Sequence, residues 1–400
     1  MRVLMWESFA PGAVIRVGGH HYAERFLRHG YRLAWCVGPL SPVNFLKSND
    51  ETERRMRLWR RRGETLREGR LFAYAPMTLL PYRPYPLFDR PFMHRLTLRA
   101  TVPRLRSVLT RAGFERVDIL WMSTGSPFLA LLDEVPHDVA IYRMSDDTEA
   151  FPDTPSTFAA LEREVCRRAD LVLATARRLE RRARDLGARR VLRLPNACDP
   201  DAFLPGTGPA PDDLRGVPGP RAVYAGAIDR WLDLDLLADT ARLLPGWTFL
   251  LIGPVRADLG RLRDLPNVRV LGPRPYARLP LYLRAADAGI VPFVLNAMTH
   301  AIHPIKVYEY CAAALPVVAT PMEETAAMGA PLRLAATGEE FARALEEARL
   351  ENEGPGAERA RAARLAFARS HTWDRRFEAL QSEIACLAGR PAERAAGGLA

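Results

Sequence analysis

The sequence predicts an α/β protein with two Rossmann-like doubly wound domains facing across a cleft. Three observations predict the two parallel sheets. Short runs rich in Val, Ile and Leu alternate with helical segments along nearly the whole chain, which is the pattern of parallel βαβ units. The pattern stops at a stretch dense in Pro and Gly, LPGTGPAPDDLRGVPGP from Leu204, and then restarts. At 400 residues and 48% hydrophobic, the chain has material for two cores rather than one.

The strands of the first domain, residues 1–205, are RVLMW from Arg2, YRLAWCVG from Tyr31, VDILWMS from Val117, DVAIYRMS from Asp138, ADLVLATA from Ala169 and RRVLRLPN from Arg189. Residues 206–217 read as a linker. The second domain, 218–372, takes its strands from RAVYAGAI at Arg221, then WTFLLIGP, NVRVLG, AGIVPF and LPVVAT. A helical segment at 373–388 and a loose tail at 389–400 close the chain. Ligands are expected at the C-terminal ends of the strands and between the domains.

Several classes are disfavoured. The opening MRVLMWESFAPG reads as one short buried strand interrupted by Glu7, and no run of about 18 apolar residues follows it anywhere, so neither a leader nor a membrane span is expected. That points to the cytoplasm. The five cysteines, Cys36, Cys166, Cys198, Cys311 and Cys386, are scattered, odd in number and without a C-x-x-C pair. They read as small core residues rather than a disulfide framework or a zinc site. A formal charge of +10 favours anionic partners in general without selecting one.

Of the 57 Lys and Arg residues only two are lysine, one of them Lys306, so a lysine kept there points to a compact ammonium rather than a planar fork. It stands in HPIKVYEY, residues 303–310, where Pro304 suits the first turn of a helix and LPVVAT is the following strand. A cation in a first helical turn opposes the helix dipole. It makes sense if the ammonium and the free backbone N–H groups hold a phosphate together. Glu309, three residues on, shares the face of Lys306 and can accept hydrogen bonds from ribose hydroxyls; an exposed i,i+3 ion pair accounts for the spacing equally well.

Gly18 and Gly19 precede an amphipathic helix and let the backbone approach an anion at its N-terminus, although a tight turn explains the pair alone. In YRMSDD, 142–147, two carboxylates follow an apolar strand. Asp146 is placed to act as a general base toward an acceptor hydroxyl, with N-capping as the alternative, while Asp147 reads as a cap or a solvated residue. RRMRLWRRR at 54–62 sets Trp59 beside Arg60, Arg61 and Arg62, and LLPYRPYPLFDRPFM follows from Leu79. Such a surface suits an anionic membrane or a lipid-linked acceptor; single-stranded nucleic acid has the same requirements, but no nucleic-acid fold signature accompanies them.

The stretch P-I-K-x-Y-E-Y-x-A-A-x-x-P-V-V-A-T-P, from Pro304, resembles the nucleotide-sugar motif of GT-B glycosyltransferases close to glycosyltransferase family four. VGGHHYAERFLRHGY at 17–31, PNACDPDAF at 195–203, YAGAIDRWLD at 224–233 and SHTWDRRF at 370–377 resemble that family in the same order. The resemblance implies a donor bound mainly by the second domain and a last helix crossing back to the first. It puts Lys306, with Ile305 beside it, on the donor diphosphate, Glu309 on the ribose, and Gly18 and Gly19 toward the donor phosphate. Arg143-x-Ser145-Asp146 is similar to the stretch carrying the proposed base of xanthan glucuronosyltransferases.

The departures are also specific. Ala301 stands where the family's E-x7-E pattern has its first Glu, and Ala314 where a glycine is usual. The basic residues usual after the first strand of the second domain are replaced by AIDRWLD, leaving Arg230 as the candidate second phosphate contact. Asn296, His300 and His303 are candidates for the sugar pocket. The implied reaction moves a sugar from a nucleotide diphosphate donor, a UDP-sugar ahead of a GDP-sugar, to a hydroxyl of a glycan or lipid-linked acceptor. No metal, cofactor or nucleic acid takes part, and the enzyme sits on the cytoplasmic face of the membrane. The competing readings are a sugar-nucleotide epimerase on the same fold and a basic nucleic-acid-binding protein.

Overall fold

The computed structural model describes residues 1–13, 16–42, 50–80, 90–123, 128–151, 154, 157–204 and 210–389. Linker positions 206–209 and tail positions 390–400 lie outside the described residues. The chain forms two compact units, Met1–Pro195 with Phe377–Ala400, and Asn196–Arg376.

The first unit is built on an 8-stranded sheet. Its strands are β1 (Arg2–Glu7), β2 (Arg32–Val37), β3 (Glu64–Leu66), β4 (Leu71–Tyr74), β5 (Val117–Met122), β6 (His137–Met144), β7 (Leu171–Ala174) and β8 (Val191–Arg193). They lie in the order β3-β4-β2-β1-β5-β6-β7-β8. Every pairing is parallel except β3 with β4. β1 registers Val3 against Leu33 on one side and Ile119 on the other. Val3, Leu4, Met5 and Trp6 are fully buried, because helices cover both faces of a parallel sheet; hence the unbroken apolar runs. The chain winds outward from β1 through β2 and β4, then restarts at β5 on the other side. That reversal opens a crevice at the C-terminal ends of β1 and β5.

The second unit repeats the scheme with a 6-stranded sheet. It comprises β9 (Arg221–Ala225), β10 (Thr248–Ile252), β11 (Val268–Gly272), β12 (Ala288–Val291), β13 (Val317–Ala319) and β14 (Leu332–Leu334). The order is β11-β10-β9-β12-β13-β14 and all pairings are parallel. Here the winding reverses between β9 and β12. The last helix, Trp373–Leu387, starts in this unit, where the Trp373 N–H donates to the Cys198 carbonyl (3.1 Å). From Phe377 it belongs to the first unit, and that ring packs 5.0 Å from Phe26 and 4.8 Å from His29.

All the predicted strands are present; β3, β4 and β14 are additional. Cys36, Cys166, Cys198 and Cys311 are buried as expected, but Cys386 is exposed, since it falls on the outer face of the last helix.

The helix Ile305–Ala312 is pinned across β9 and β12. Its Tyr310 ring lies flat on Gly289 of β12, where a Cβ would stand 2.3 Å from the ring. The Tyr310 hydroxyl accepts from the Ala225 N–H of β9 (2.9 Å). Pro304 is the N-cap rather than the first helical residue, so the helix begins one position later than its usual place for proline suggests. At the other end Ala314 takes a left-handed conformation, φ 59°. The Leu315 N–H reaches back to the Tyr310 carbonyl (2.9 Å) and the Ala314 N–H to that of Cys311 (3.0 Å). A glycine is usual at such a cap because an L side chain is strained there. Ala314→Gly is therefore expected to stabilise the fold by about 1 kcal/mol, read as a higher urea midpoint at unchanged slope. A lower midpoint would mean that the methyl group's packing outweighs its strain.

Candidate functional site

At the reversal point of the second unit, Lys306 projects from the first turn of the Ile305 helix. It is half-buried. Its ammonium lies 5.1 Å from the centre of the Tyr224 ring, on β9, and 4.8 Å from that of Phe293, just after β12. It makes no ion pair among the described residues. Burial lowers its pKa to about 8, and the nearby Glu309 carboxylate opposes the shift. Two glycines leave room beside it. A Cβ on Gly226 would lie 3.3 Å from the Lys306 Nζ, and one on Gly253 would lie 2.0 Å from the Gly226 carbonyl oxygen.

Glu309 is buried and accepts a hydrogen bond from the Tyr276 hydroxyl (2.7 Å), so it is not engaged in the exposed ion pair with Lys306 that its spacing allows. Tyr276 in turn packs against Phe203, 5.7 Å between ring centres. Asn196, from the same PNACDPDAF stretch, donates its side-chain N–H to the His303 carbonyl at the entry to the helix (2.7 Å). Ile305 is partly buried at the first helical position. Arg230 stands in the loop after β9, half-exposed, with its Nε 3.8 Å from Asp229.

The sugar-pocket candidates all carry internal bonds. The Asn296 side-chain oxygen accepts from the Thr299 N–H (3.1 Å) and closes the turn Thr299–Ala301. His300 Nδ1 accepts from the Glu323 N–H (3.1 Å) at the start of the helix Glu323–Ala327. His303 is buried, 3.7 Å from Glu324 and stacked on Tyr308 at 5.6 Å. Ala301, in place of the family's first Glu, is fully buried.

In the first unit the helix Gly18–Arg28 begins directly above two buried charged side chains. A Cβ on Gly18 would lie 2.2 Å from the Arg143 guanidinium, and one on Gly19 would lie 2.4 Å from the Glu7 carboxylate. A side chain at either glycine would have to displace the head group of Arg143 or Glu7. Glu7, the last residue of β1, accepts from the Trp121 indole N–H (2.9 Å) and the Ser123 hydroxyl (2.7 Å) at the end of β5. Burial raises its pKa to about 7 against the pull of Ser123, Arg143 and Trp121. Glu7 and Arg143 were visible in sequence only as a charge closing a strand and a basic residue inside one. The topology brings them together.

Asp146 follows β6. Its surface is open to solvent, yet the surrounding protein desolvates its carboxyl and raises its pKa, opposed by a hydrogen bond from the Ser145 hydroxyl (2.8 Å) and by Arg143. Asp147 holds the N-cap position of the short turn Thr148–Ala150, as a cap reading expects, but its side chain makes no capping bond and is not solvated. It is buried between Arg178 (3.5 Å) and Arg182 (3.7 Å), which makes it structural.

Trp59 lies on the helix Asp50–Arg60, half-buried, its indole N–H donating to the Val102 carbonyl (2.5 Å). Arg60, Arg61 and Arg62 are exposed, and Arg61 pairs with Glu64 (3.1 Å). PYRPYPLFD, 81–89, lies outside the described residues.

Known proteins share the fold and part of the sequence. Residues 219–349 match the family model described as glycosyl transferases group 1. The fold is GT-B. Sucrose-phosphate synthase from Thermosynechococcus elongatus superposes with a TM-score of 0.70 at 15% identity, covering 96% of this chain and 98% of that one. HepE of Anabaena, in complex with UDP and glucose, superposes at 0.66 and 15% identity, covering 96% and 99%. In sequence, a 128-residue segment is 35% identical to TuaH of Bacillus subtilis, assigned to teichuronic acid biosynthesis as a glycosyltransferase. That match takes in 30% of this chain and 32% of TuaH, about a third of the relative's length.

Lys306 shares its amine chemistry with one other side chain, Lys47, which lies outside the described residues. Because burial disfavours its ammonium, Lys306 should lose its proton early. Acylation with an amine reagent, followed by mass spectrometry, is expected to give a rate profile for Lys306 with its midpoint near pH 8. A midpoint near the ordinary lysine value of about 10.4 would show that the ammonium is fully solvated.

Proposed function

We propose that the protein moves a sugar from a nucleotide diphosphate donor, a UDP-sugar ahead of a GDP-sugar, to a hydroxyl of a glycan or lipid-linked acceptor in polysaccharide or glycolipid synthesis. One observation carries this reading: an ammonium faced by aromatic rings, without an acidic partner among the described residues, at the reversal point of a parallel sheet. The group-1 match over that same unit and the UDP in the HepE structure support it.

On this reading the donor lies on the second unit. Lys306 and the N–H groups of its helical turn, Ile305 included, take the diphosphate. Arg230 is a second cation for it, and Glu309 takes the ribose hydroxyls. As the bond from the sugar to the diphosphate breaks, negative charge grows on the leaving oxygen, where a fixed cation is most effective. Asp146, on the first unit, takes the proton from the acceptor hydroxyl as that oxygen attacks; a raised pKa improves it as a base. Gly18 and Gly19 bring a helix N-terminus toward the donor phosphate, and Asn296, His300 and His303 border the sugar. No metal ion takes part in this scheme.

The reading also places the protein on the cytoplasmic face of an anionic membrane, with Trp59, Arg60, Arg61 and Arg62 on the contacting side and no role for nucleic acid. No described helix is long and apolar enough to cross a membrane.

Release of UDP from a panel of UDP-sugars, with and without a glycan or glycolipid acceptor, is the direct assay. Acceptor-dependent release insensitive to EDTA is expected; formation of an isomeric UDP-sugar without acceptor would mean an epimerase instead. Asp146→Asn is expected to lower turnover about a hundredfold with donor affinity retained. Lys306→Arg, which keeps the charge but widens the group, should lower turnover at least tenfold, about 1.4 kcal/mol. A fully active Arg variant would remove the argument from the size of the ammonium.

A further inference from the structure

The first unit presents an apolar face that the sugar-transfer reading leaves unused. Leu79, Phe92, Leu96 and Val102 are 69, 59, 47 and 51% exposed, and all four fall within one short stretch of chain. Scattered exposed apolar residues need no explanation; a contiguous set does.

Their placement makes the set contiguous. On the helix Pro91–Arg99 the residues Met93, His94, Thr97 and Leu98 are buried, so Phe92, Arg95, Leu96 and Arg99 share the outer face. Just past its end, Thr101 forms an antiparallel bridge with Thr78, and both threonines are buried. Leu79 and Val102 directly follow the bridged threonines, each at a bend, and both are exposed beside one another at this edge. The Val102 carbonyl also holds the Trp59 indole, which ties the basic helix to this edge.

Charge is distributed over the face in a definite way. Arg95 pairs with Asp133 (2.5 Å) and Arg99 with Glu134 (2.7 Å), so the arginines among the apolar side chains are neutralised. Arg60, Arg62, Arg104 and Arg106, at its margins, are exposed and make no ion pair among the described residues.

We propose that this face docks on an anionic phospholipid bilayer, with Phe92, Leu96, Leu79 and Val102 entering the boundary between headgroups and acyl chains and the marginal arginines on lipid phosphates. The inference rests on the membrane reading above and moves the point of insertion from Trp59 to the Pro91 helix. Charge complementarity selects the occupant. A bilayer supplies the negative charge that the margin lacks, whereas a second copy of the chain would oppose the same arginines with its own.

The test is co-sedimentation of the full-length protein with phosphatidylcholine vesicles, with and without phosphatidylglycerol, at low and high salt. The wild type is expected to bind the phosphatidylglycerol vesicles. Phe92→Ser with Leu96→Ser should weaken that binding at least about tenfold at both salt levels, and Arg104→Glu with Arg106→Glu mainly at low salt, where charge is unscreened. Thermal shift with UDP, run on each variant, reports folding and donor binding separately. Wild-type protein that binds neither vesicle overturns the membrane reading and this inference together, leaving sugar transfer untouched. Wild-type binding that the Phe92/Leu96 variant retains in full overturns this face alone. A dimer that dissociates in that variant, without vesicle binding, would make the face a contact between copies.

Discussion

The feature on which the second unit depends is a cation held outside any ion pair among the described residues, with the nearby Glu309 carboxylate turned to Tyr276. Lys306 stands where three effects act against it: partial desolvation, the positive end of a helix dipole, and the lack of an acidic partner among the described residues. The Tyr224 and Phe293 rings offset part of this, each contact worth about 0.5–2 kcal/mol. Neighbouring features keep the arrangement from relaxing. Tyr310 on Gly289 fixes the helix against β12, Asn196 fixes its entry, and Gly226 and Gly253 let two loops come close enough to leave the ammonium room. An anion beside Lys306 would offset these effects, which is the basis of the proposed diphosphate contact.

The first unit solves a related problem differently. Its reversal point also carries charge, but Glu7 is satisfied internally by Trp121 and Ser123, and Arg143 lies under the first helical turn. The Gly-Gly pair therefore leaves these two head groups where they are. What remains exposed there is Asp146, while its neighbour Asp147 is consumed by Arg178 and Arg182. Adjacent carboxylates of one sequence motif thus have opposite environments, one exposed and one held between two arginines.

Much of the architecture was legible because parallel strands buried on both faces read as unbroken apolar runs, as in RVLMW and WTFLLI. β3 and β14 escaped because three-residue edge strands carry no such run, and β4, LFAY, lacks β-branched residues. Lys306 and Glu309 were legible from residue type and spacing. Tyr224, Tyr276 and Phe293 were not, since each comes from a different strand end and only the sheet order brings it to the helix. Ala314 stood out as a departure from glycine, but its meaning, a strained left-handed cap, needed the backbone angle. Asn296, His300 and His303 looked free in a polar loop. Their bonds to Thr299, Glu323 and Tyr308 depend on local geometry that spacing does not reveal.

The central claim is that the first turns of the Ile305 helix hold a nucleoside diphosphate, with Glu309 on its ribose and Tyr276 orienting that carboxylate. The most direct measurement is calorimetric binding of UDP and of its 2′,3′-dideoxy analogue to the wild type and to Glu309→Gln and Tyr276→Phe. In the wild type, loss of the ribose hydroxyls should cost at least tenfold in affinity, about 1.4 kcal/mol. In Glu309→Gln that difference should largely vanish, and in Tyr276→Phe it should shrink while affinity for the dideoxy compound is kept. An undiminished tenfold difference in a folded Glu309→Gln protein would contradict the account, because the ribose would then be recognised elsewhere.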